Sequence, residues 1–253
     1  MPQSMKTENV NNSYFKGYYK DIWRQIFPEK ITVAESEFIV EECGLQKGNI
    51  VFDIMCGYGR HSLELAKNGI KVIAVDNLEE YTAELNEKAV TQNLEIKSIC
   101  ADIIELQFEQ EFDAVICMGN SLQFFNESDL GNLLSNISSH LKPGGKFIIN
   151  SWSLSEIVNK QAKEKTWNRF KDLFLLVESK FLSDPARIET TSIIITENGE
   201  REEKQAVDYI YSLAEMEAML NKTGFDLKEV FSIPGKKQFS PGDPRAYIVA
   251  VKK

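Results

Sequence analysis

The amino-acid sequence predicts an α/β fold in which a mostly parallel sheet carries helices on both faces and an antiparallel segment is inserted late in the chain. Between residues 33 and 151, short segments rich in Val, Ile or Phe alternate with segments of helical periodicity, which is typical of parallel sheets. After residue 151, strand-like segments follow one another too closely for crossover helices. The 253 residues, 43% of them hydrophobic, are enough for one sizeable domain with an ordinary core.

The first part of the chain is predicted to contain five strands, most of them bounded by Gly, Pro, Asn or Asp. They are Ile50–Met55, Lys71–Asp76, Ile96–Cys100, Phe112–Met118 and Lys146–Ser151. Thr32-Val-Ala-Glu35 is a capping-box pattern and predicts a helix that begins there and runs through Cys43. An apolar stripe at helical spacing predicts another helix, which ends before Lys142-Pro-Gly-Gly145. The stripe consists of Leu130, Leu133, Leu134, Ile137 and Leu141.

The later part of the chain is predicted to be organised differently. A helix-like stretch to about Phe170 leads into three strands, Leu173–Lys180, Arg187–Thr196 and Glu203–Tyr211, with a hairpin turn signal at Asn198-Gly199. A second capping box, Ser212-Leu-Ala-Glu215, opens a helix that stops at Gly224, and the strands Phe225–Ile233 and Ala246–Val251 follow. We therefore expect a single domain with an N-terminal region at 1–32, a core at 33–154 and 209–253, and an antiparallel insertion at 155–208.

Composition and charge exclude several classes of function. The formal net charge is −9, and no basic run offsets it, so we expect no nucleic-acid partner. Residues 1–12 are polar and no apolar run is long enough to span a bilayer, which predicts a cytoplasmic protein without a membrane partner. The four cysteines are dispersed, as expected for reduced thiols, and His61 and His140 are the two histidines of the chain, so we expect no metal site.

A glycine-containing turn between a strand and a helix is the main candidate for a binding site. It reads Asp53-Ile-Met-Cys-Gly57-Tyr-Gly59, and small residues there let a ligand approach the backbone. Asp76 ends the next strand, where a carboxylate can accept both hydroxyls of a ribose, and Asp102 follows the third strand in the same manner.

Two classes of cofactor use such a turn, dinucleotides and S-adenosylmethionine. Asp53 favours S-adenosylmethionine, because a carboxylate would repel a pyrophosphate and attract an ammonium and a sulfonium. Ser62 stands where a dinucleotide-binding turn has its third glycine, which also counts against a dinucleotide.

These segments together resemble the class I S-adenosylmethionine-dependent methyltransferases, in particular small-molecule enzymes with an inserted antiparallel sheet. The motifs that carry the resemblance are Asp53–Gly59, Ala74-Val-Asp76, Cys100-Ala-Asp102, Phe112–Met118 and Leu141–Gly145, in the order of the family. One departure is Met55, which stands where the family usually has its first glycine. The resemblance implies a Rossmann-like fold with a seven-stranded mixed sheet, antiparallel at its last strand. It also implies that the insertion at 155–208 covers the substrate.

The resemblance also implies the positions of a cofactor site for S-adenosyl-L-methionine. They are Asp53, Cys56, Gly57, Gly59, Asp76, Asn77, Asp102, Ile103 and Met118. Asp53 and the loop backbone would surround the methionyl part, and Asp76 would hold the ribose. Asp102 would accept a hydrogen bond from the adenine amino group, Ile103 would pack on the ring, and Met118 would line the floor beside the sulfonium.

The acceptor side is less readable, because methyl transfer by in-line displacement depends mainly on alignment and needs no dedicated base. A small-molecule acceptor is expected, with Tyr18, Asn120 and Arg245 as candidates for its pocket. His61 is interpreted as a helix-face residue rather than a base. The aromatic segment from Tyr14 to Trp23 fits either a lid or a packed amphipathic helix.

Several alternatives stay open at this point. The chain could be an NAD(P)-dependent oxidoreductase, or a protein that binds S-adenosylmethionine without turnover. The acceptor atom, whether N, O or C, is not written in the sequence, and a homodimer is compatible with it.

Overall fold

The structure, a computed structural model, describes residues 9–107 and 111–253 and consists of two compact units. The larger unit comprises Phe27–Ala162 and Ile210–Lys253, and the smaller one joins the N-terminal segment up to Ile26 to Lys163–Tyr209. Residues 1–8, at the start of the predicted N-terminal region, lie outside the described residues. The predicted insertion begins at residue 155, whereas the larger unit continues to Ala162 and contains one more helix.

The helices and strands are numbered in chain order. The helices are α1 (Tyr19–Ile26), α2 (Glu29–Cys43), α3 (Arg60–Lys67), α4 (Glu79–Thr91), α5 (Glu127–His140), α6 (Ser155–Gln161) and α7 (Leu213–Lys222). The strands are β1 (Ile50–Ile54), β2 (Lys71–Asp76), β3 (Ile96–Cys100), β4 (Phe112–Cys117), β5 (Leu141–Ser151), β6 (Lys165–Phe170), β7 (Leu173–Ser183), β8 (Ala186–Thr196), β9 (Arg201–Tyr209), β10 (Phe225–Ile233), β11 (Lys237–Gln238) and β12 (Ala246–Lys252).

The larger unit is built on a mixed sheet with the strand order β11-β10-β12-β5-β4-β1-β2-β3. The strands from β5 to β3 pair in parallel, and β12 runs antiparallel to β5. This confirms the Rossmann-like mixed sheet, with one correction: the described sheet has eight strands rather than seven, because the two-residue β11 pairs with the edge of β10. The order reverses between β1 and β4, and such switch points form the ligand crevice of open α/β sheets.

The core of the larger unit lies between this sheet and the helices on its faces. The central strands are buried on both faces, as expected for parallel strands covered by helices. Phe52 of β1 stacks on Phe112 of β4 with ring centroids 4.7 Å apart. All five residues of the predicted apolar stripe are buried, but only four of them belong to α5, because Leu141 is the first residue of β5.

Three local features correct the sequence prediction. The helix α2 begins at Glu29, directly after Pro28, and Glu35 lies inside it with its carboxylate engaged by side chains distant in sequence rather than by a cap. The stretch before Phe170 is not helical throughout: Lys165–Phe170 is the strand β6, which pairs with β7 because tertiary pairing overrides the local pattern. The strand β5 begins at Leu141, with a register shift against β4 at the predicted Pro-Gly turn. The capping box at Ser212 is confirmed.

The smaller unit is a four-stranded antiparallel sheet, β6-β7-β8-β9, onto which the N-terminal segment packs. Its β8–β9 turn contains Asn198-Gly199, as predicted, with Gly199 at a φ of 83°. Tyr14 and Tyr19 are buried against strand residues, and the Tyr14 hydroxyl lies 2.8 Å from the Ser192 hydroxyl. Within this unit the aromatic segment is therefore a packed element.

None of the helices in residues 9–107 and 111–253 combines the length and apolar character needed to cross a bilayer.

Candidate functional site

The glycine loop between β1 and α3 occupies the carboxyl edge of the sheet. Met55, Gly57 and Gly59 all have φ in the left-handed region, at 52°, 57° and 74°. A non-glycine residue pays about 1 kcal/mol for this conformation, so the loop keeps a glycine-type backbone at Met55 although the glycine is absent. The amide of Cys56 donates to the Val75 carbonyl at 2.9 Å, which ties the loop to β2.

The two glycines of the loop have different surroundings. Apart from Gly57 itself and its two neighbours in the chain, no described atom lies within 4 Å of the position that a Cβ of Gly57 would occupy, so this part of the loop is open to a ligand. At Gly59 a Cβ would lie 2.4 Å from Cδ1 of Leu85, a buried residue of α4. Gly59 is thus required for close packing of the loop, whereas Gly57 leaves space above it.

Asp76 links the end of β2 to the glycine loop. Its Oδ2 accepts a hydrogen bond from the Gly57 amide at 2.8 Å, and its Oδ1 accepts one from the Leu78 amide at 3.0 Å. The side chain is 8% exposed, and burial raises its pKa to about 6 despite these hydrogen bonds. Each carboxylate oxygen can accept a further hydrogen bond, so the residue can hold the loop and a ligand hydroxyl at once.

Asp53 at the end of β1 is a buried carboxyl group, with 1% of the residue exposed. Ser62 of α3 donates a hydrogen bond to its Oδ2 at 2.6 Å. Burial raises the pKa of Asp53 to about 7, the Ser62 hydrogen bond and the charge of Arg60 act in the opposite direction, and the charge of Asp76 adds to the increase. Near neutral pH the group is divided between its protonated and ionised forms, and a cation beside it would favour ionisation.

The other predicted positions lie along the same edge of the sheet. The end of β3 pairs with the end of β2, at Cys100 and Asp76, so the residues that follow β3 reach the same edge. Asp102 is exposed and its Oδ1 accepts from the Ile104 amide at 3.0 Å, while Ile103 is buried.

Three further predicted positions border the loop or the strand ends. Asn77 is exposed and directly follows Asp76. Burial raises the pKa of the Cys56 thiol, which donates to the Gly57 carbonyl at 3.4 Å. Met118 is buried directly after β4.

Asn120, predicted to line the pocket of the methyl acceptor, is 2% exposed. Its side chain joins the loop after β4 to the end of β5. Its Oδ1 accepts hydrogen bonds from the Trp152 amide at 2.9 Å and the Ser153 amide at 3.0 Å, and from the Ser151 hydroxyl at 3.1 Å. Its Nδ2 donates to the Ser153 hydroxyl at 2.8 Å. The amide group is therefore committed to contacts within the protein.

The other two residues predicted for the methyl-acceptor pocket, Tyr18 and Arg245, contact different parts of the protein. Tyr18 belongs to the smaller unit, where its hydroxyl donates to the Glu200 carboxylate and its amide donates to Glu202 at 3.0 Å. Arg245 directly precedes β12, and its guanidinium carbon lies 5.0 Å from the centroid of the Phe27 ring.

A buried cluster around Glu35 is the part of the site that the sequence did not indicate. Oε2 of Glu35 accepts hydrogen bonds from Arg60 Nη1 at 2.6 Å and His61 Nε2 at 2.9 Å, and Oε1 accepts one from the Tyr247 hydroxyl at 2.8 Å. Burial alone would raise the pKa of Glu35, but its hydrogen bonds and the nearby positive charge hold it below the usual range.

Burial, followed by the charge of Arg60, lowers the pKa of His61. At neutral pH the carboxylate of Glu35 is thus ionised, and His61 is neutral and donates from Nε2. His61, interpreted from the sequence as a helix-face residue, is buried in α3 and is oriented by Glu35. Glu35 is 26 residues away along the chain, so no local pattern could reveal this contact.

Comparisons with known proteins agree with this geometry. Residues 51–145 match the model of a family described as "Methyltransferase domain". Glycine/sarcosine N-methyltransferase of Aphanothece halophytica is 26% identical over 162 residues, which are 63% of this chain and 61% of that protein. Carboxy-S-adenosyl-L-methionine synthase of Psychromonas ingrahamii is 28% identical over 141 residues, 50% of this chain and 57% of that protein. The matched part of the chain thus spans less than two thirds of either relative.

Among solved structures, an S-adenosylmethionine-dependent methyltransferase from Clostridium acetobutylicum is similar over nearly the whole chain. The TM-score is 0.79 at 21% identity, with 92% of this chain and 96% of that chain covered. At this level of identity the similarity shows a common fold.

Proposed function

Since residues 51–145 of this chain belong to the methyltransferase-domain family and the whole has the class I fold, we propose that the protein is an S-adenosylmethionine-dependent methyltransferase with a small-molecule acceptor. The observation that carries the proposal is the pair of buried acids at the strand ends: Asp53 at the end of β1, and Asp76, whose Oδ2 accepts from the amide of Gly57 in the open part of the loop.

The charge at the loop suits S-adenosyl-L-methionine better than a dinucleotide. Burial is the main cause of the raised pKa of Asp53, and the negative charge of Asp76 adds to it. A pyrophosphate brought to this loop would add further negative charge in a region of low dielectric constant. A methionyl ammonium and a sulfonium would instead relieve the repulsion between the two carboxyl groups. The residues present therefore fit the methionyl and ribose parts of this cofactor.

When bound, S-adenosylmethionine supplies a methyl group that its sulfonium already activates. The task left to the chain is positioning, which accounts for most of the acceleration in such transfers. In this proposal Asp53 holds the ammonium, and Asp76 accepts from the ribose hydroxyls while it fixes the Gly57 amide. Asp102 and Ile103 receive the adenine, Asn77 and Cys56 border the nucleoside and the loop, and Met118 lines the floor of the site.

On the acceptor side we assign Asn120 a positioning role, because its amide holds the chain after β4 against the end of β5. Arg245 stays the candidate for a direct contact with the acceptor. The place of Tyr18 in the acceptor pocket and the role of residues 155–208 as a substrate cover stay predictions.

Calorimetry on the purified protein tests the cofactor assignment. S-adenosylmethionine and S-adenosylhomocysteine should bind, and NAD and NADP should give no signal. Asp76→Ala should weaken binding of S-adenosylhomocysteine by about 2 kcal/mol, since a charged hydrogen bond in a largely buried site is lost. Asp226→Ala, at an exposed ion pair of β10, is the matched control and should bind as the wild type. Binding of NAD in place of both S-adenosyl compounds would refute the proposal.

A labelled-methyl screen over small amines, hydroxy acids and phenols tests for turnover. Transfer to at least one acceptor would establish an enzyme. Binding of S-adenosylmethionine without any transfer would point to the alternative of a non-catalytic binding protein.

A further inference from the structure

Two arginine side chains lie against the ring of Phe27, which is buried in the larger unit. The guanidinium carbon of Arg60 is 4.7 Å from the ring centroid, and that of Arg245 is 5.0 Å from it. Arg245 also lies 5.6 Å from the ring centroid of Trp152, which itself stacks on Phe27 at 6.0 Å. We call Arg60 and Arg245 the arginine pair. Stacking holds each guanidinium by its face and leaves its N–H edge for hydrogen bonding.

The hydrogen bonds of Arg60 are incomplete. Its Nη1 donates to Glu35 at 2.6 Å and to the Thr32 hydroxyl at 3.0 Å. Its Nη2 is buried and has no hydrogen-bond partner among residues 9–107 and 111–253. Buried polar groups are nearly always paired, and a charged donor loses most when it is not. The position of this nitrogen therefore calls for an acceptor that the described chain does not supply.

The cluster also has more positive than negative charge. The arginine pair contributes two positive charges, and Glu35 contributes one negative charge. His61 is neutral, and Tyr247 donates a neutral hydrogen bond to Glu35. Asp53 is the next acid that interacts with Arg60, and it is only partly ionised near neutral pH. One further negative charge would balance the cluster.

The arginine pair lies where the proposed ligands would bind. Arg60 is the first residue of α3, directly after Gly59 of the loop. Arg245 precedes β12, whose first residue, Ala246, pairs with Ser151 at the end of β5. Both residues therefore belong to the carboxyl edge of the sheet, beside the switch point between β1 and β4.

We propose that the arginine pair binds a carboxylate group of a bound ligand, with Nη2 of Arg60 and the guanidinium of Arg245, which also interacts with the Tyr247 hydroxyl, as donors. A carboxylate matches the planar guanidinium edge and brings a single negative charge. A phosphate would bring more charge close to Asp53 and Asp76 and fits less well. This inference rests on the proposed function, which offers two sources of the group: the methionyl carboxylate of the cofactor and a carboxylate on the acceptor.

Calorimetry with S-adenosylmethionine and decarboxylated S-adenosylmethionine tests the first source, because the two differ only in the carboxylate. If the cofactor supplies the group, the wild type should bind S-adenosylmethionine roughly tenfold more tightly than the decarboxylated compound. In the variants Arg60→Lys and Arg245→Gln, the ratio of the two affinities should fall towards one. Arg60→Lys keeps a positive charge beside the buried Glu35, so it avoids the unfolding that a neutral residue at this position would risk.

Titration of acetate and glycine into the complex with S-adenosylhomocysteine tests the second source. If the acceptor supplies the carboxylate, one of these probes should bind saturably to the wild type, and Arg245→Gln should abolish that binding. Arg201→Gln, an exposed arginine of the smaller unit paired with Glu203, is the control and should change neither measurement. Thermal unfolding of each variant establishes that it is folded.

The outcomes separate this inference from the proposed function. Equal affinity for both adenosyl compounds, together with no saturable binding of acetate or glycine, would overturn the carboxylate site and leave the methyltransferase proposal standing. Failure of every adenosyl compound to bind the wild type would refute the proposed function itself.

Discussion

The buried carboxyl group of Asp53, which we propose holds the ammonium of the cofactor, reduces the stability of the folded chain at neutral pH. Its carboxyl has a pKa of about 7 in the folded chain against an ordinary value of 3.8. Between these two values the folded protein binds a proton that the unfolded chain has lost. The free energy of unfolding therefore falls as the pH rises through this range, and the loss is complete above about pH 7.

Replacing Asp53 by Asn should remove this penalty. We expect Asp53→Asn to raise the free energy of unfolding by roughly 2–4 kcal/mol near pH 8 and to leave it nearly unchanged near pH 4, where the carboxyl is protonated in the folded state. Urea denaturation at the two pH values measures the difference. The same variant should bind S-adenosylhomocysteine more weakly, because the ammonium loses its charged partner.

Asp113→Asn is a control for which we expect the opposite change in the free energy of unfolding. Asp113 is paired with Lys142 at 2.6 Å and accepts from the Ile50 amide at 2.7 Å, and these contacts lower its pKa against the effect of burial. This variant should lose stability near pH 8. A gain at Asp113, or no gain at Asp53, would contradict the assignment of the buried acid.

At the scale of elements, the two glycines of the loop have different roles: Gly59 is needed for packing, and Gly57 leaves space for a ligand. Gly57→Ala should cost about 1 kcal/mol of stability, since φ is 57° but no described atom would be displaced. Its methyl group would occupy the space proposed for the cofactor, so affinity for S-adenosylhomocysteine should fall roughly tenfold or more. Gly59→Ala should cost about 2–4 kcal/mol, because the new Cβ would also overlap Leu85 in the core.

Chemical denaturation and calorimetry on the two loop variants measure these effects. The expected pattern is a stable Gly57→Ala variant that binds poorly and a destabilised Gly59→Ala variant. Equal losses of stability in both variants would show that the space above Gly57 is not available as the structure indicates.

The N-terminal aromatic segment, from Tyr14 to Trp23, is the second element whose role the structure bears on. Its sequence fits a lid or a packed helix, and within the smaller unit Tyr14, Tyr19 and Ile22 are buried with Leu175 and Ile194. The burial explains why aromatics recur at helical spacing there. A movement of this segment on ligand binding stays a prediction.

At the scale of the whole molecule, the formal net charge of −9 argues against a polyanionic partner. The arginine pair is balanced in part by Glu35, and several basic groups of the smaller unit are paired with acids, as Arg169 is with Glu197. We expect no mobility shift of DNA or RNA at physiological salt and no methyl transfer to either. Methylated nucleic acid in the labelled-methyl assay would contradict this prediction.

The sequence by itself determined the fold class, the order of the motifs and the strand-end positions of the acids that we propose to bind the cofactor. Asp53, Asp76 and Gly57 could be identified because strand periodicity, turn chemistry and the ends of strands are local properties, readable within a few residues. The capping box at Ser212 and the turn at Asn198 are local in the same sense.

Only the tertiary structure decided the strand β6, the buried state of Asp53 and the cluster around Glu35. β6 exists because it pairs with β7, and the raised pKa of Asp53 depends on everything that covers it. The hydroxyl of Tyr247 reaches Glu35 across 212 residues of chain. Such contacts form when distant segments pack together, and a local pattern holds no information about a partner that folding brings from the other end of the chain.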